Sequence, residues 1–218
     1  NISDPDDVAC SGEDGLDATG SRKARAQLTI DTETSLASLS YSVRIRLGDG
    51  FNSLNDELGL PINWMTIGEF WNNQPGEPGS FRITMNMVKP DAVAGAPMYF
   101  GLKADKQADG ASAWELVWPS EIVSALEVPI GEWFTIEVSV TEGDATTGRA
   151  SVHVTTADGV RHEVADVTGW TYSPDGSPDG FADINTIKLY TSGDIMCSLK
   201  EMGHVLEAWW DDYAIGAE

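Results

Sequence analysis

The chain is poor in basic residues and histidine, and it lacks the motifs of several common enzyme classes. Of its 218 residues only 13 are Lys or Arg, and three are His. It has no Gly-x-Ser-x-Gly elbow, no glycine-rich phosphate loop and no His or Cys spacing typical of catalytic zinc. It also has no apolar run of about 18 residues that would cross a membrane as a helix. These absences argue against nucleophilic serine catalysis, a phosphate-loop enzyme and a zinc enzyme.

Acidic residues dominate the charge: 35 Asp and Glu give a formal net charge of −22. Such a field repels phosphate backbones and anionic lipid, so we expect no nucleic-acid partner and no membrane partner. An acidic surface favours solubility and salt screens its self-repulsion, which makes a saline habitat one explanation. A polyanionic substrate is disfavoured unless its groove is locally basic.

The two cysteines, Cys10 and Cys197, lie near opposite ends of the sequence. In an oxidising compartment they can pair, and closing so long a loop stabilises by about 4–5 kcal/mol in the chain-entropy model. The alternative is two unpaired thiols. We predict the disulfide, which favours a secreted, extracellular location.

Three extended segments between Trp64 and Trp118 each separate an apolar face from a polar face. Because successive side chains of a strand point to opposite sides, this alternation predicts half-buried antiparallel strands. The polar faces combine aromatic rings with charged and amide groups: Glu69, Trp71, Asn73, Arg82, Thr84, Asn86, Tyr99 and Lys103. A groove for a polar, ring-shaped ligand needs this combination, which favours a carbohydrate surface.

The remaining sequence predicts an all-β fold. Residues 1–25 are an acidic, flexible lead-in, and residues 26–218 form one antiparallel β-sandwich domain. Further strands are predicted at residues 27–30, 40–47, 114–118, 134–140, 149–155 and 205–215, and residues 52–59 are a polar connection. One short helix near the C-terminus is predicted over 193–202, because Ser192 can cap it and Gly203 suits its C-terminal end.

These features resemble the concanavalin A-like lectin/glucanase superfamily, in the style of its laminin-G-like and heparin-lyase-like jelly rolls. Residues 64–73, 129–134, 188–191 and 209–213 carry the likeness, which covers most of residues 27–216. Members hold glycans on a concave sheet and include hydrolases, lyases and non-catalytic modules. The resemblance therefore implies a jelly roll that binds polysaccharide or oligosaccharide.

The family's catalytic signatures are missing. The Glu-x-Asp-x-Glu and Glu-x-Asp-x-x-Glu patterns of retaining glucanases do not occur, nor do the Arg-Thr-Glu-Leu, Gln-x-His and Tyr-x-Lys motifs of alginate lyases. Catalytic roles cannot be copied across. The resemblance does imply a structural calcium ion, for which Asp212 is the matching ligand because hard oxygen ligands suit calcium.

Two catalytic chemistries remain open for the polar faces. A glycosidase needs two carboxyl groups, for which Glu69 and Glu115 are the candidates. A lyase acting on uronic acids needs a cation to neutralise the substrate carboxylate and a base for the C5 proton, and Arg82, Lys103 and Tyr99 supply these. The alternative for Arg82 is a structural cross-strand pair with Glu69.

Aromatic and amide side chains complete the predicted site. Trp71, Trp114 and Trp118 are candidate stacking platforms for sugar rings, with Asn73, Asn86 and Glu115 as polar contacts. Trp64, Trp133, Trp170 and Trp209 are predicted to be core residues, and the histidines to be structural or solvent-facing.

The sequence thus predicts a secreted, monomeric protein without an organic cofactor that cleaves a polysaccharide, either as a lyase or as a hydrolase. The catalytic residues are predicted to be Glu69, Arg82, Tyr99 and Lys103. The alternatives are a non-catalytic carbohydrate-binding module and an adhesion scaffold.

Overall fold

The computed structural model describes residues 23–72, 80–108, 111 and 113–217. Over these residues the chain forms two antiparallel β-sheets and two short α-helices, which confirms the predicted β-sandwich. No helix in the described part of the chain is long and apolar enough to cross a membrane.

The first sheet carries the polar face predicted from the central segments. Its seven described strands follow the order β1-β11-β3-β4-β5-β6, and β7 also pairs with β5. Their bounds are β1 Lys23–Leu36, β3 Thr66–Trp71, β4 Ser80–Val88, β5 Tyr99–Gln107, β6 Glu115–Leu116, β7 Ile122–Glu127 and β11 Phe181–Ser192.

The second sheet has five described strands in the order β10-β9-β8-β2-β12. It contains the predicted hairpin, now β8 and β9, in continuous register from Thr135 opposite Thr155 to Thr141 opposite Arg149. The bounds are β2 Ser38–Leu47, β8 Trp133–Thr141, β9 Arg149–Thr155, β10 Arg161–Thr168 and β12 Ala208–Ala217.

The core lies between the sheets and is built from the apolar parity of each strand. In β4 every second side chain is fully buried, and the same holds for the inward side chains of β8 and β9. Alternation therefore predicted the inner faces correctly. The inward residues of these strands are Phe81, Ile83, Met85, Met87, Phe134, Ile136, Val138, Val140, Ala150, Val152 and Val154.

Several element boundaries differ from the predictions. Strand β1 begins at Lys23, so the sandwich starts before residue 26, and most of the predicted lead-in lies outside the described residues. Only Glu115–Leu116 of the predicted strand 114–118 pairs with β5. The connection after β2 contains a 3₁₀ turn, Asp49–Phe51, and helix α1, Asn52–Asp56. These turns form because Phe51 and Leu54 are buried in the core.

The predicted C-terminal helix is confirmed as α2, Gly193–Glu201. The Ser192 hydroxyl accepts a hydrogen bond from the backbone N–H of Ile195, and Gly203 has the left-handed φ of +78° that ends the helix. Cys197 in α2 is not a free thiol. Its predicted partner Cys10 lies outside the described residues, so the secreted location stays a prediction.

A lysine with a fully buried side chain holds α1 against the first sheet. The Nζ atom of Lys89, just after β4, donates to the backbone oxygens of Leu54 at 2.7 Å, Asn55 at 3.0 Å and Leu58 at 2.5 Å. Burial lowers the pKa of this ammonium, while the nearby Asp56 opposes the shift. Lys89 thus satisfies the buried carbonyls of Leu54, in the helix, and Leu58, just after it. The Asn55 oxygen also accepts from the backbone N–H of Gly95.

Replacing this ammonium should destabilise the fold. Lys89→Met keeps the length of the side chain but leaves the buried carbonyl oxygens of Leu54 and Leu58 without this donor, and we expect a loss of about 2–4 kcal/mol in the free energy of unfolding. Urea denaturation measures it. The matched control is Lys106→Met, which breaks only the ion pair with exposed Asp175 and should cost less than about 1 kcal/mol. Equal losses in the two variants would contradict the role of Lys89.

Candidate functional site

Five charged side chains form a continuous row across the outer face of the seven-stranded sheet. Arg82 lies at its centre: its Nε donates to Asp105 Oδ1 at 2.7 Å and its Nη1 to Glu69 Oε1 at 3.1 Å. Lys188 Nζ donates to the other oxygen of Glu69, and Lys103 Nζ lies 3.6 Å from Asp105 Oδ2. This ion-pair row, Lys188–Glu69–Arg82–Asp105–Lys103, crosses the four neighbouring strands β11, β3, β4 and β5.

The two carboxylates of the row are buried and fully engaged. Glu69 is 2% exposed and each of its oxygens accepts from a different cation. Asp105 is also 2% exposed and receives two hydrogen bonds from Arg82, the second from Nη2 at 3.3 Å. Because buried charges require paired partners, these carboxylates anchor the cations from below and do not face solvent.

Lys188 is the most deeply placed cation of the row. Its side chain is 2% exposed, and burial lowers the pKa of its ammonium, while the charge of Glu69 and the hydrogen bond to it act in the opposite direction. A buried ammonium beside a buried carboxylate is stabilised by that partner. Lys188 therefore serves to hold Glu69 in place.

Arg82 and Lys103 are the cations of the row that face solvent. Their side chains are 16% and 21% exposed. Three of the five N–H groups of Arg82 donate to the row's carboxylates, which leaves two for a ligand. Lys103 is less engaged, since its nearest carboxylate oxygen is 3.6 Å away. Both can therefore bind a further anion without breaking the row.

A depression of about 250 Å³ lies over the row, and we call it the trough. Aromatic pairs stand on two sides: Trp64 lies 5.0 Å from Tyr190, and Trp71 lies 5.6 Å from Trp114, between ring centroids. The Arg82 guanidinium stacks 3.7 Å from the Trp114 ring. The described residues that line the trough are Trp64, Thr66, Arg82, Thr84, Asn86, Lys103, Asp105, Trp114 and Tyr190.

A hydroxyl and amide network forms the floor of the trough at one end. Asn86 accepts from the Thr66 hydroxyl at 2.9 Å, and its amide nitrogen donates to the Thr84 hydroxyl and to Glu121 Oε1, both at 3.2 Å. Thr84 and Asn86 are each 1% exposed although they belong to the outer face. Polar groups thus line the floor with their hydrogen bonds already directed.

The structure brings several of the sequence-predicted site residues together. Arg82, Lys103, Asn86 and Trp114 line the trough, and Trp71 packs beside Trp114. The pairing of Arg82 with Glu69, left open as an alternative, is present. The buried Glu69 is shielded beneath its two cations, which removes the predicted catalytic contact with a ligand.

Tyr99 shares the outer face but lies away from the trough. It precedes Lys103 by four residues in β5, which places it about 13 Å along the strand. It is not among the described residues that line the trough. Asn73, the remaining predicted contact from the first segment, lies outside the described residues.

Trp118 and Glu115 require correction as predicted substrate contacts. Trp118 is 4% exposed within the core, and its indole N–H donates to the Trp170 carbonyl at 2.9 Å, so it presents no stacking face. Glu115 is exposed but lies opposite Lys106, while Leu116 lies opposite Asp105. Directly opposed residues share a face, so Glu115 points away from the trough. The prediction failed because the strand is only two residues long and the chain then turns inward.

Asp212 and the histidines lie outside the trough. Asp212 has φ +47° where the register of β12 breaks, and its exposed carboxylate is 3.7 Å from Arg44. No group of three or more His, Cys, Asp or Glu side chains suited to a metal occurs among the described residues, so calcium at Asp212 stays a prediction. His153 lies on β9, His162 on β10, and His204 pairs with Glu57 at 2.7 Å.

Sequence reasoning missed several trough residues. Asp105 lies two residues after Lys103 and has the same parity as Tyr99 and Lys103, so the alternation of that segment, continued to residue 105, would have identified it. Lys188 and Tyr190 alternate with buried Leu189 in β11, a signal that the sequence does carry. Trp64 precedes β3 and is half-buried in the trough, whereas its apolar character predicted a core position.

Comparisons with known proteins agree with this architecture. No protein-family model matches the chain, and no curated protein is significantly similar to it. Among solved structures, a mutant of the alginate lyase Aly36B in complex with alginate tetrasaccharide aligns with a TM-score of 0.50 and 11% identity, covering 93% of this chain and 82% of the other. At this identity the match shows the fold alone, and that fold agrees with the jelly roll predicted from the sequence.

Two further solved structures align less closely. An alginate lyase from Aplysia kurodai has a TM-score of 0.49 and 8% identity, covering 86% of this chain and 72% of the other. The endo-β-1,4-glucuronan lyase from Trichoderma reesei has a TM-score of 0.44 and 13% identity, covering 91% and 75%. The fold assignment rests on the first alignment, because these TM-scores lie below 0.5.

The contributions of Lys188 and Glu69 to the free energy of unfolding should depend strongly on each other. We expect Lys188→Met and Glu69→Gln each to lower the free energy of unfolding by about 3–5 kcal/mol, since each leaves an uncompensated buried group. The double variant should lose less than the sum of the two, because it removes both buried charges. Denaturation of all four proteins gives the coupling energy.

The exposed ion pair of Arg161 and Glu137, with an N–O distance of 2.8 Å on the second sheet, is the control for this double-mutant cycle. Its coupling energy should stay below about 1 kcal/mol. Additive losses for Lys188→Met and Glu69→Gln would show that the two side chains are not energetically linked.

Proposed function

We propose that this concanavalin A-like jelly roll binds an acidic, uronate-containing polysaccharide in the trough and cleaves it by β-elimination. One observation carries the proposal: the solvent-facing groups of the ion-pair row are cationic. Three cations and two carboxylates leave the row with one positive charge in a chain of net charge −22. A locally basic groove is the condition under which such a chain can accept a polyanion.

The neighbouring side chains support a sugar ligand. Trp64, Tyr190 and Trp114 border the trough with aromatic surface, and the amide and hydroxyl groups of Asn86 and Thr84 lie on its floor. Aromatic faces stack on the apolar faces of pyranose rings, and directed polar groups fix their orientation. The combination suits a ring-shaped ligand that also carries carboxylates.

In the proposed reaction, Arg82 and Lys103 bind the uronate carboxylate and stabilise the charge that develops when the C5 proton leaves. A base removes that proton, the electron pair forms the C4–C5 double bond, the C4–O4 bond breaks, and O4 takes a proton. Tyr190 lines the trough and carries an exchangeable phenolic proton. It replaces Tyr99, which lies along the strand from the trough, as our candidate for the base that takes the C5 proton and then returns it to O4.

Hydrolysis receives less support than elimination. A glycosidase needs two carboxyl groups facing the scissile bond. Here Glu69 and Asp105 are buried, and their oxygens are occupied by Arg82, Lys188 and Lys103. The row therefore offers cations to the ligand, while its two carboxylates are already paired with cations.

A non-catalytic carbohydrate-binding module is the second candidate. It is favoured by the mutual pairing within the row, because groups that already satisfy each other bind a ligand without a free base poised for chemistry. Such a module would bind the same acidic glycans through the same trough and release no product.

A panel of acidic and neutral polysaccharides separates these functions. A lyase produces new reducing ends together with the ultraviolet absorbance of the C4–C5 double bond, while a hydrolase produces reducing ends alone. Binding without product identifies the module. Absence of both binding and cleavage across acidic glycans would reject the proposal.

Removing the least engaged cation should weaken the activity on acidic glycans. Lys103→Gln eliminates a charge-assisted contact, and we expect kcat/KM, or affinity if no turnover occurs, to fall about 10- to 150-fold. The control is Lys106→Gln, which removes the same charge from a lysine three residues further along β5 whose side chain lies on the opposite face. Similar losses in both variants would indicate a general charge effect.

Raising the ionic strength should strengthen the binding of acidic glycans, whereas salt usually weakens the binding of a charged ligand. The net charge of −22 repels a polyanion at long range, and raising salt from about 0.01 to 0.15 M shortens the Debye length from about 30 to 8 Å. We expect KM or Kd for an acidic glycan to fall over this range, while a neutral glycan shows no such trend. A steady weakening from the lowest salt upward would show that local attraction dominates.

A further inference from the structure

One carboxyl group lies beside the trough, hydrogen-bonded to its lining residue Asn86, without belonging to the ion-pair row. Glu121 precedes β7, and its Oε1 atom lies 2.9 Å from the position that a Cβ atom on Gly101 would take. Gly101 belongs to the outer-face parity of β5, between Tyr99 and Lys103. The missing side chain of Gly101 therefore creates a notch, and the Glu121 carboxyl fills it.

The contacts of this carboxyl are those of a bound anion. Its Oε1 accepts a hydrogen bond from the Asn86 amide at 3.2 Å, and Lys103 attracts it electrostatically. No ion pair to Glu121 within 4.0 Å is found among the described residues, in contrast to Glu69 and Asp105. The carboxyl is thus held at the edge of the trough by the Asn86 amide and, at longer range, by the Lys103 cation.

We propose that Glu121 is an internal stand-in for a glycan carboxylate, and that its ionisation determines how strongly the trough binds acidic glycans. The inference rests on the proposed function and names a specificity-determining residue for it. When ionised, Glu121 competes for Asn86 and Lys103 and repels an incoming carboxylate. When protonated, it is a neutral group that can donate a hydrogen bond to the glycan.

The surroundings of Glu121 place its titration above the ordinary carboxyl range. Burial raises its pKa, Lys103 and the hydrogen bond from Asn86 act against this rise, and the negative charge of Asp105 adds to it. From β4, the aliphatic side chain of Val88 packs on the same notch. Lys103 and Asp105, both in β5, are the charged groups of the described chain that act on it.

The sign of the pH dependence follows from these charges. Uronate carboxylates ionise in the ordinary carboxyl range, whereas Glu121 loses its proton at a higher pH. At a pH between the pKa of the uronate and the pKa of Glu121, the glycan is anionic and Glu121 is neutral, so binding is strongest in that range. As pH rises through the pKa of Glu121, a negative charge develops beside Asn86 and Lys103 and opposes the glycan carboxylate, so affinity falls. Conversely, a bound acidic glycan favours proton uptake by Glu121.

The test compares wild type with Glu121→Gln, whose amide is a neutral isostere that still accepts from Asn86. Calorimetric titration with one acidic oligosaccharide and one neutral oligosaccharide is run from pH 4 to 8, in steps of about half a unit that bracket the carboxyl range. We expect wild-type affinity for the acidic ligand to fall about tenfold or more on the alkaline side, and the variant to retain tight binding throughout. Neutral-ligand affinity should be the same in both proteins.

Glu163→Gln is the matched control, because it removes one negative charge from an exposed side chain on β10 of the second sheet. It should keep the wild-type pH profile, which separates a local effect from the change in net charge. Repeating the wild-type titration in buffers of different ionisation enthalpy should reveal proton uptake on binding, and Glu121→Gln should abolish it.

The outcomes distinguish this inference from the function on which it rests. Binding of the acidic ligand with the same pH profile in wild type and Glu121→Gln overturns the role of Glu121 and leaves the proposed function standing. Failure of every protein to bind acidic ligands at any pH overturns both. Unaltered proton uptake in Glu121→Gln would also overturn the inference.

Discussion

The outer face of the seven-stranded sheet depends on a buried carboxylate held between two cations. Glu69 lies 2% exposed between Arg82 and Lys188, which come from the neighbouring strands β4 and β11. Neither cation could be held at this depth without a counter-charge, because an isolated buried ion is strongly disfavoured. The pairing fixes the Arg82 guanidinium, and that guanidinium in turn fixes Asp105 and the stacked ring of Trp114. The orientation of the trough's solvent-facing groups follows from this one arrangement.

The same arrangement reconciles an acidic chain with an anionic ligand. Long-range repulsion depends on the net charge of the whole molecule, whereas recognition in the trough depends on charges within a few ångströms. Arg82 and Lys103 retain free donors there because buried carboxylates bind them from the side away from solvent. A protein can therefore be repelled by a polyanion at a distance and still hold it on contact.

Local patterns predicted the faces of the strands, but they could not predict which side chains meet. The parity of β4 and β5 identified Arg82, Asn86 and Lys103 as outer-face residues because strand alternation is a property of consecutive residues. Glu69 and Lys188 are 119 positions apart, so their contact depends on the order of strands in the sheet. Likewise, Trp118 enters the core because the pairing of β6 ends after two residues, and no local pattern signals this.

One irregularity in the second sheet bears on how the molecule behaves at high concentration. Strand β12 lies at the end of that sheet's order, and its pairing with β2 is interrupted between Asp211 and Ala214, where Asp212 has φ +47°. A free sheet edge normally offers a row of backbone groups to which a strand of another molecule can add. The bulge breaks that row and places adjacent carboxylates beside it, so a second strand would meet mismatched hydrogen bonds and like charge. The β12 edge is thereby poorly suited to pairing with a strand of another molecule.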